Sequence, residues 1–325
     1  MRPVPRLVVL TCALGCALGL VAPASASELI ARNASNVRLG VNSKGTAMVT
    51  YSVRGKLTHL LAWGAINARP RPSSSRAKQV AFKLDYSGGW KHHKLTWKRF
   101  KNACEPYDGP ELSWLVTACK APNGSYWALQ SWQTALPNLG MAPWLAPQKT
   151  WWLHLSHWTG PLAQLTVYSD WVYNGRFQEL FGQYTYNGVG VRGFGTTKYG
   201  NPTDAFGRLL YLDTYNSSYG PGWLRENSFV SHGPPGMFCY GFFPHNPYIG
   251  GYAHPRGIPN AKRGPGTGEQ YRITVAGPGV TPDVMWQGAG LHSFNKNDPA
   301  DVSLEQQMNG TLDSLRGGWS KCAHH

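Results

Sequence analysis

Short runs in which apolar and polar residues alternate, bounded by Gly, Pro, Asn and Asp, dominate the chain and predict strands. Runs 37–43 and 46–53 flank Lys44-Gly45, and runs 113–120 and 126–134 flank Asn123-Gly124, a pair suited to a tight hairpin turn. Runs 80–87, 151–158, 162–173, 177–186, 208–213, 237–243, 271–276 and 284–287 read the same way. No helical period is interleaved with them, so the expected fold is all-β: an antiparallel β-sandwich or jelly roll.

One stretch breaks the two-residue period. Asp298 suits a helix cap, Pro299 the first helical position, and Leu304, Met308, Leu312 and Leu315 recur on one face before Gly317-Gly318. This predicts a single C-terminal helix docked on a sheet through that stripe.

The first residues follow another pattern. Arg2 and Arg6 precede an apolar stretch from Leu7 to Val21 and the small residues Ala24-Ser25-Ala26, the order of a secretory leader with cleavage after Ala26. No later window has the length and apolarity of a membrane span. The expectation is a leader over 1–26 and one β-rich domain over 27–325, secreted to the extracellular space or cell wall. Positions 69–78 read as a loop or linker, and 245–268 as a long surface loop.

Four cysteines remain after the leader: Cys104, Cys119, Cys239 and Cys322. An exported chain with an even cysteine count favours disulfides, and the sequence-local pairing joins Cys104 to Cys119 and Cys239 to Cys322.

Charge sharpens the picture. Charged residues are 14% of the chain, and loss of Arg2 and Arg6 with the leader leaves 29 Lys and Arg against 16 Asp and Glu, a net charge of +13. The excess is local, for between Arg54 and Lys101 the sole acid is Asp85. In "KHHKLTWKRFK" the cations Lys91, Lys94, Lys98, Arg99 and Lys101 are interleaved with Trp97, a combination that suits a polyanion. For an exported protein the expected polyanion is a cell-envelope polymer or an anionic headgroup surface, in preference to nucleic acid.

The second lead is "LDTYNSSYGPGWLRENS", in which "TYNSSYGPG" reads as the loop between two strands, with Asp213 at the end of one and Glu226 in the next. Tyr215, Tyr219 and Trp223 offer faces for sugar rings, while Asp213, Asn216 and Arg225 offer hydrogen bonds to hydroxyls. The bland alternative is a loop whose aromatics pack on their own strands. Asp213 and Glu226 are also the nearest approach to the two carboxyls of a glycan hydrolase. These leads point to a non-catalytic protein binding an anionic or carbohydrate envelope polymer, with a glycan hydrolase or a protein-interaction module as alternatives.

Other motifs dissolve on inspection. Gly188-Val189-Gly190-Val191-Arg192-Gly193 matches a dinucleotide fingerprint, but the Gly and Pro that follow cannot start the helix it needs. His154 and His157 are three apart on a predicted strand, so they face opposite sides and cannot share an ion. His232, His245 and His254 sit among Pro and Gly as loop residues. No metal or cofactor is expected.

Overall fold

The computed structural model describes residues 27–64, 66, 82–90, 96–134, 150–171, 175, 177–186, 188–190, 195–196, 202–203, 210–217, 220–225, 229–232, 236–242, 268–275, 277 and 280–318. The first half of the chain supplies β1 (Glu28–Arg32), β2 (Ser35–Val41), β3 (Ala47–Val53), β4 (Lys56–Gly64), β5 (Phe82–Asp85), β6 (Glu105–Pro106), β7 (Leu115–Lys120), β8 (Tyr126–Thr134) and β9 (Thr150–Trp158). They form two antiparallel sheets, ordered β1-β9-β8-β7-β6 and β2-β3-β4-β5.

Alternation decides what lies between them. Val41, Val49, Tyr51, Leu60 and Ala62 from one sheet meet Ile30, Trp127, Leu129, Leu153 and Leu155 from the other in one buried interior. The hairpins follow the local chemistry. Asn42 Oδ1 accepts hydrogen bonds from the amides of Lys44 and Thr46, and Gly124 takes a positive φ at the second hairpin. Strand β4 escaped the sequence reading. Its turn from β3 is Arg54-Gly55, with positive φ at both residues as a type I′ hairpin requires.

The second half supplies β10 (Gln164–Trp171), β11 (Phe177–Tyr186), β12 (Val189–Gly190), β13 (Gly195–Thr196), β14 (Pro202–Thr203), β15 (Leu210–Ser217), β16 (Gly220–Arg225), β17 (Phe229–His232), β18 (Met237–Gly241), β19 (Gln270–Val275) and β20 (Val284–Ala289), then helix α1 (Pro299–Arg316). Sheets β10-β11-β18-β17 and β16-β15-β19-β20 enclose a second interior of Leu180, Tyr184, Leu212, Phe238, Tyr240, Tyr271 and Ile273. The molecule is thus an antiparallel β-sandwich fold with a C-terminal helix, and among the described residues each pair of sheets encloses its own apolar interior.

Helix α1 lies where its stripe predicts. Asp298 caps it by accepting from the Ala300 amide at 2.9 Å, and Gly317 closes it in the left-handed region. Leu304, Met308, Leu312 and Leu315 pack on Phe181, Met237 and Cys239, the side of the β11–β18 pair turned away from the sandwich interior. That second covering explains why β18 is buried at every residue where alternation alone would leave half of them wet. Among the described residues no helix is long and apolar enough to cross a membrane.

The two histidines of β9 do part company. The His157 ring stacks on Trp127, donates from Nδ1 to the Gly64 carbonyl and places Nε2 2.9 Å from the Ser125 hydroxyl oxygen. His154 faces the other way, between Trp132 and Trp152, near Asp283 of the second lobe. Of the glycine motif, Val189–Gly190 form β12 and pair with β11, while 191–193 lie outside the described residues.

The cysteines Cys104 and Cys119 are joined, their Cα atoms 5.6 Å apart. Cys239 is disulfide-bonded, while Cys322, its expected partner, lies outside the described residues. So do positions 69–78 and 245–267, with the histidines at 245 and 254.

Candidate functional site

Two places collect the residue types that bind polymers: a basic ledge on the first lobe and an aromatic seam between the lobes. The ledge lies on the outer face of sheet β2-β3-β4-β5, where Arg38, Thr50 and His59 form one cross-strand row. A β-turn leads onto it. Asp85 accepts from the Ser87 and Gly89 amides and from the Ser87 hydroxyl, so its carboxylate is engaged in holding the turn.

The segment beyond then crosses the sheet. Residues 96–99 make a short 3-10 turn, and the Trp97 ring lies flat on His59, centroids 4.6 Å apart and planes 8° from parallel. Thr50 Oγ1 holds the far side of that imidazole at 3.1 Å from Nδ1. Gly40 leaves room for Phe100 and Asn102, whose atoms approach to 3.0–3.3 Å of where its Cβ would be. Asn102 Oδ1 accepts from the amides of Val41 and Cys104, and the Cys104–Cys119 bridge ties the end of the segment to β7.

The interleaving of rings and cations therefore has a simple structural meaning. Trp97 and Phe100 face the sheet, while Lys98, Arg99 and Lys101 are exposed. Lys98 Nζ arches back over the Trp97 ring at 5.2 Å. Among the described residues no carboxylate pairs with Arg38, Lys98, Arg99 or Lys101. Trp97 thus departs from its expected role: its ring is an anchor for the ledge, half-buried against His59. Lys91 and Lys94 lie outside the described residues.

The seam corrects the second lead. The stretch read as a long loop is mostly strand, because β15 runs to Ser217 and β16 starts at Gly220. Asn216, at φ 48°, shapes the turn: its Oδ1 accepts from the Gly222 amide and its Nδ2 donates to Glu269. Tyr215 and Trp223 are direct cross-strand partners with rings 5.2 Å apart. Both face away from the second interior, as does Asp213, opposite Arg272 of β19.

Asp213 is fully buried and receives Nε and Nη2 of Arg272 at 3.1 and 2.6 Å. Arg272, equally enclosed, also donates from Nη2 to the Gln133 carbonyl of the first lobe. Its guanidinium lies over Trp223 at 4.6 Å and over Trp114 of the first lobe at 5.9 Å. A carboxylate committed in this way is a poor ligand for sugar hydroxyls and a poor nucleophile or proton donor. One face of Trp223 is also taken. Tyr219 and Glu226 lie outside the described residues, as does the Arg225 side chain, whose backbone pairs with Asp213.

Arg272, Trp114 and Gln133 were missed in the sequence. The alternation Tyr271-Arg272-Ile273 does put Arg272 on the face opposite the second interior. What covers that face is set by the other lobe.

A buried pair of carboxyls lies elsewhere in the second lobe, with Asp170 and Glu179 directly opposite on β10 and β11. Burial first, then the adjacent Asp170 charge, pushes Glu179 up to about 8, so this side chain is held protonated at neutral pH. Both residues are enclosed. Among the described residues no three His, Cys, Asp or Glu converge on a metal-sized site. Compared with models of known families, with curated proteins and with solved structures, the chain matches none of them.

Proposed function

We propose that this chain is exported and holds an anionic polymer of the cell envelope on the ledge of its first lobe, without acting on it chemically. The observation that carries the reading is the outward set of Lys98, Arg99 and Lys101 above a ring anchored on His59, with Arg38 on β2 in the same cross-strand row and no ion-pair partner among the described residues. Fixed backbone under exposed cations suits a polymer whose charges repeat, because contact is made by charge rather than by a shaped pocket. The disulfide and the basic excess both agree with a life outside the cell.

The seam adds little to carbohydrate binding, since Asp213 and one face of Trp223 are already engaged by Arg272. No observation favours hydrolysis through Asp213 and Glu226. The test is retention on purified cell wall at low and at high salt, for the parent and for Lys98→Glu, Arg99→Glu, Lys101→Glu combined. Retention that falls with salt and with the triple variant is expected. Retention indifferent to both overturns the proposal.

A further inference from the structure

The turn that leads onto the ledge carries a ring of its own. Asp85 pins it by accepting from the Ser87 and Gly89 amides, and Gly88 and Gly89 take positive φ of 62° and 95° there. Gly88 is pressed onto the stack beneath: a Cβ on it would meet His59 Cβ at 3.0 Å and Trp97 Cδ1 at 3.1 Å. Trp90 follows two residues later, its amide donating to the Ser87 carbonyl at 3.2 Å. Its Cα therefore lies within about 7 Å of that of Gly88. Its side chain is 68% exposed, more than any other large apolar residue among the described residues.

The rings of the ledge differ in what they leave open. Trp97 lies on His59 and has Lys98 Nζ over its ring as well. Burial, and then the Glu28 charge, push the Tyr86 hydroxyl upward, so this half-exposed ring has an acid near it. Trp90 is stacked on no other ring among the described residues, and two-thirds of it meets water. A single exposed ring is ordinary on a protein surface. This one stands on a pinned turn that touches Trp97, the residue from which Lys98, Arg99 and Lys101 continue, so an apolar face and several charges are offered together.

We propose that the polymer held on the ledge is an acidic polysaccharide, with Trp90 taking the apolar face of one sugar ring and Lys98, Arg99 and Lys101 taking acid groups along the chain. The inference rests on the reading of the ledge as a polyanion site and narrows it. A pyranose presents C–H bonds on a face that lies well on an indole, while its hydroxyls stay at the rim in water. One platform is enough for that, because the cations supply the remaining attraction. A polyanion without rings, such as a polyphosphate chain, gains nothing from the indole. Single-stranded nucleic acid is served by several rings in succession, each under one base, and Trp97 is already committed to His59.

The test measures affinity at one fixed low salt concentration for polygalacturonate, inorganic polyphosphate and oligothymidylate, with the parent, Trp90→Ala, Trp90→Phe and the triple Glu variant at Lys98, Arg99 and Lys101. The side chain of Trp90 is exposed, so both of its variants fold as the parent does. Trp90→Ala is expected to weaken polygalacturonate about five- to tenfold and polyphosphate by less than about twofold. Trp90→Phe, which keeps a flat ring, stays near the parent. Trp90→Ala without effect on polygalacturonate, or equally damaging to both polyanions, overturns the inference, as does a parent that does not bind polygalacturonate; a loss of polyphosphate in the triple variant would still uphold the polyanion reading. A larger loss on oligothymidylate than on polygalacturonate overturns it in favour of a stacked base. Binding indifferent to the triple variant removes the reading and the inference together.

Discussion

On the ledge the indole of Trp97 lies flat on His59 and leaves Lys98, Arg99 and Lys101 in water, whereas at the seam the cation itself, Arg272, is enclosed and the rings of Trp114 and Trp223 lie against it. The two regions draw on the same residue types, and exposure makes them opposites. An exposed cation keeps its hydration and is available to a partner. A buried one has lost water and depends on the carboxylate and carbonyl that replace it. On the proposed function, attraction for a polymer belongs to the ledge; the buried Arg272 contacts join the two lobes at the seam.

The sharpest way to break this contrast is at the seam. Asp213→Ala leaves Arg272 enclosed without its carboxylate, and is expected to lower stability by about 3–5 kcal/mol in denaturant unfolding, with polymer binding unchanged under conditions where the variant is folded. A loss below about 0.5 kcal/mol, as for an exposed pair, would show that Arg272 is hydrated after all.

Next in size is removal of the bridge that ties the ledge to β7. Cys104→Ser with Cys119→Ser opens a loop of sequence separation 15 and is expected to cost about 3 kcal/mol in the chain-entropy model. Binding should also weaken if the bridge holds the cations in place, and comparison of the oxidised and reduced parent at equal temperature checks that.

The enclosed groups set a pH profile. Glu179, raised from 4.5 to about 8, keeps its proton in the fold while the unfolded chain has lost it, so its contribution is full below about 4.5 and disappears as pH rises to 8. His154, lowered from 6.5 to about 3, is neutral in the fold while the unfolded chain takes up a proton, so its contribution is full above 6.5 and disappears as pH falls to 3. The two slopes oppose each other between 4.5 and 6.5, where a plateau of melting temperature is expected, with shoulders on the order of a few kcal/mol. Glu179→Gln should flatten the alkaline shoulder; a profile unchanged by it means that the carboxyl is ionised in the fold.

The ledge variants have the smallest effect on stability. Trp97→Ala removes a half-buried ring and its stacking on His59, at about 1–2 kcal/mol in thermal unfolding. The triple Glu substitution at Lys98, Arg99 and Lys101 should change stability by under about 0.5 kcal/mol while abolishing salt-sensitive retention on cell wall. If that variant unfolds instead, the cations are part of the fold and the contrast fails.

Much of the architecture is legible from periodicity. Run 126–134 coincides with β8, run 177–186 with β11, and the stripe of Leu304, Met308, Leu312 and Leu315 with the docked face of α1. These segments bury one side against a continuous apolar layer, so their pattern is clear. Strand β4 was overlooked because Leu60, Leu61 and Ala62 are buried in succession and blur the alternation. The stretch 214–222 was read as loop because Asn, Ser and Gly disfavour strands by composition, yet pairing of Thr214 and Tyr215 with β19 carries the strand on.

The amino-acid sequence by itself determined many of the strands, where several hairpins turn, which side of the helix is apolar and that cations crowd one stretch, since all of these depend on neighbours a few positions apart. Only the tertiary structure decided that Asp213 would meet Arg272, that Glu179 would lie opposite Asp170, and that Ser27 would reach Asp283. Alternation says on which side of a strand a residue lies. What stands against that side comes from parts of the chain tens to hundreds of residues away, and it alone settles whether a charge is left in water or sealed from it.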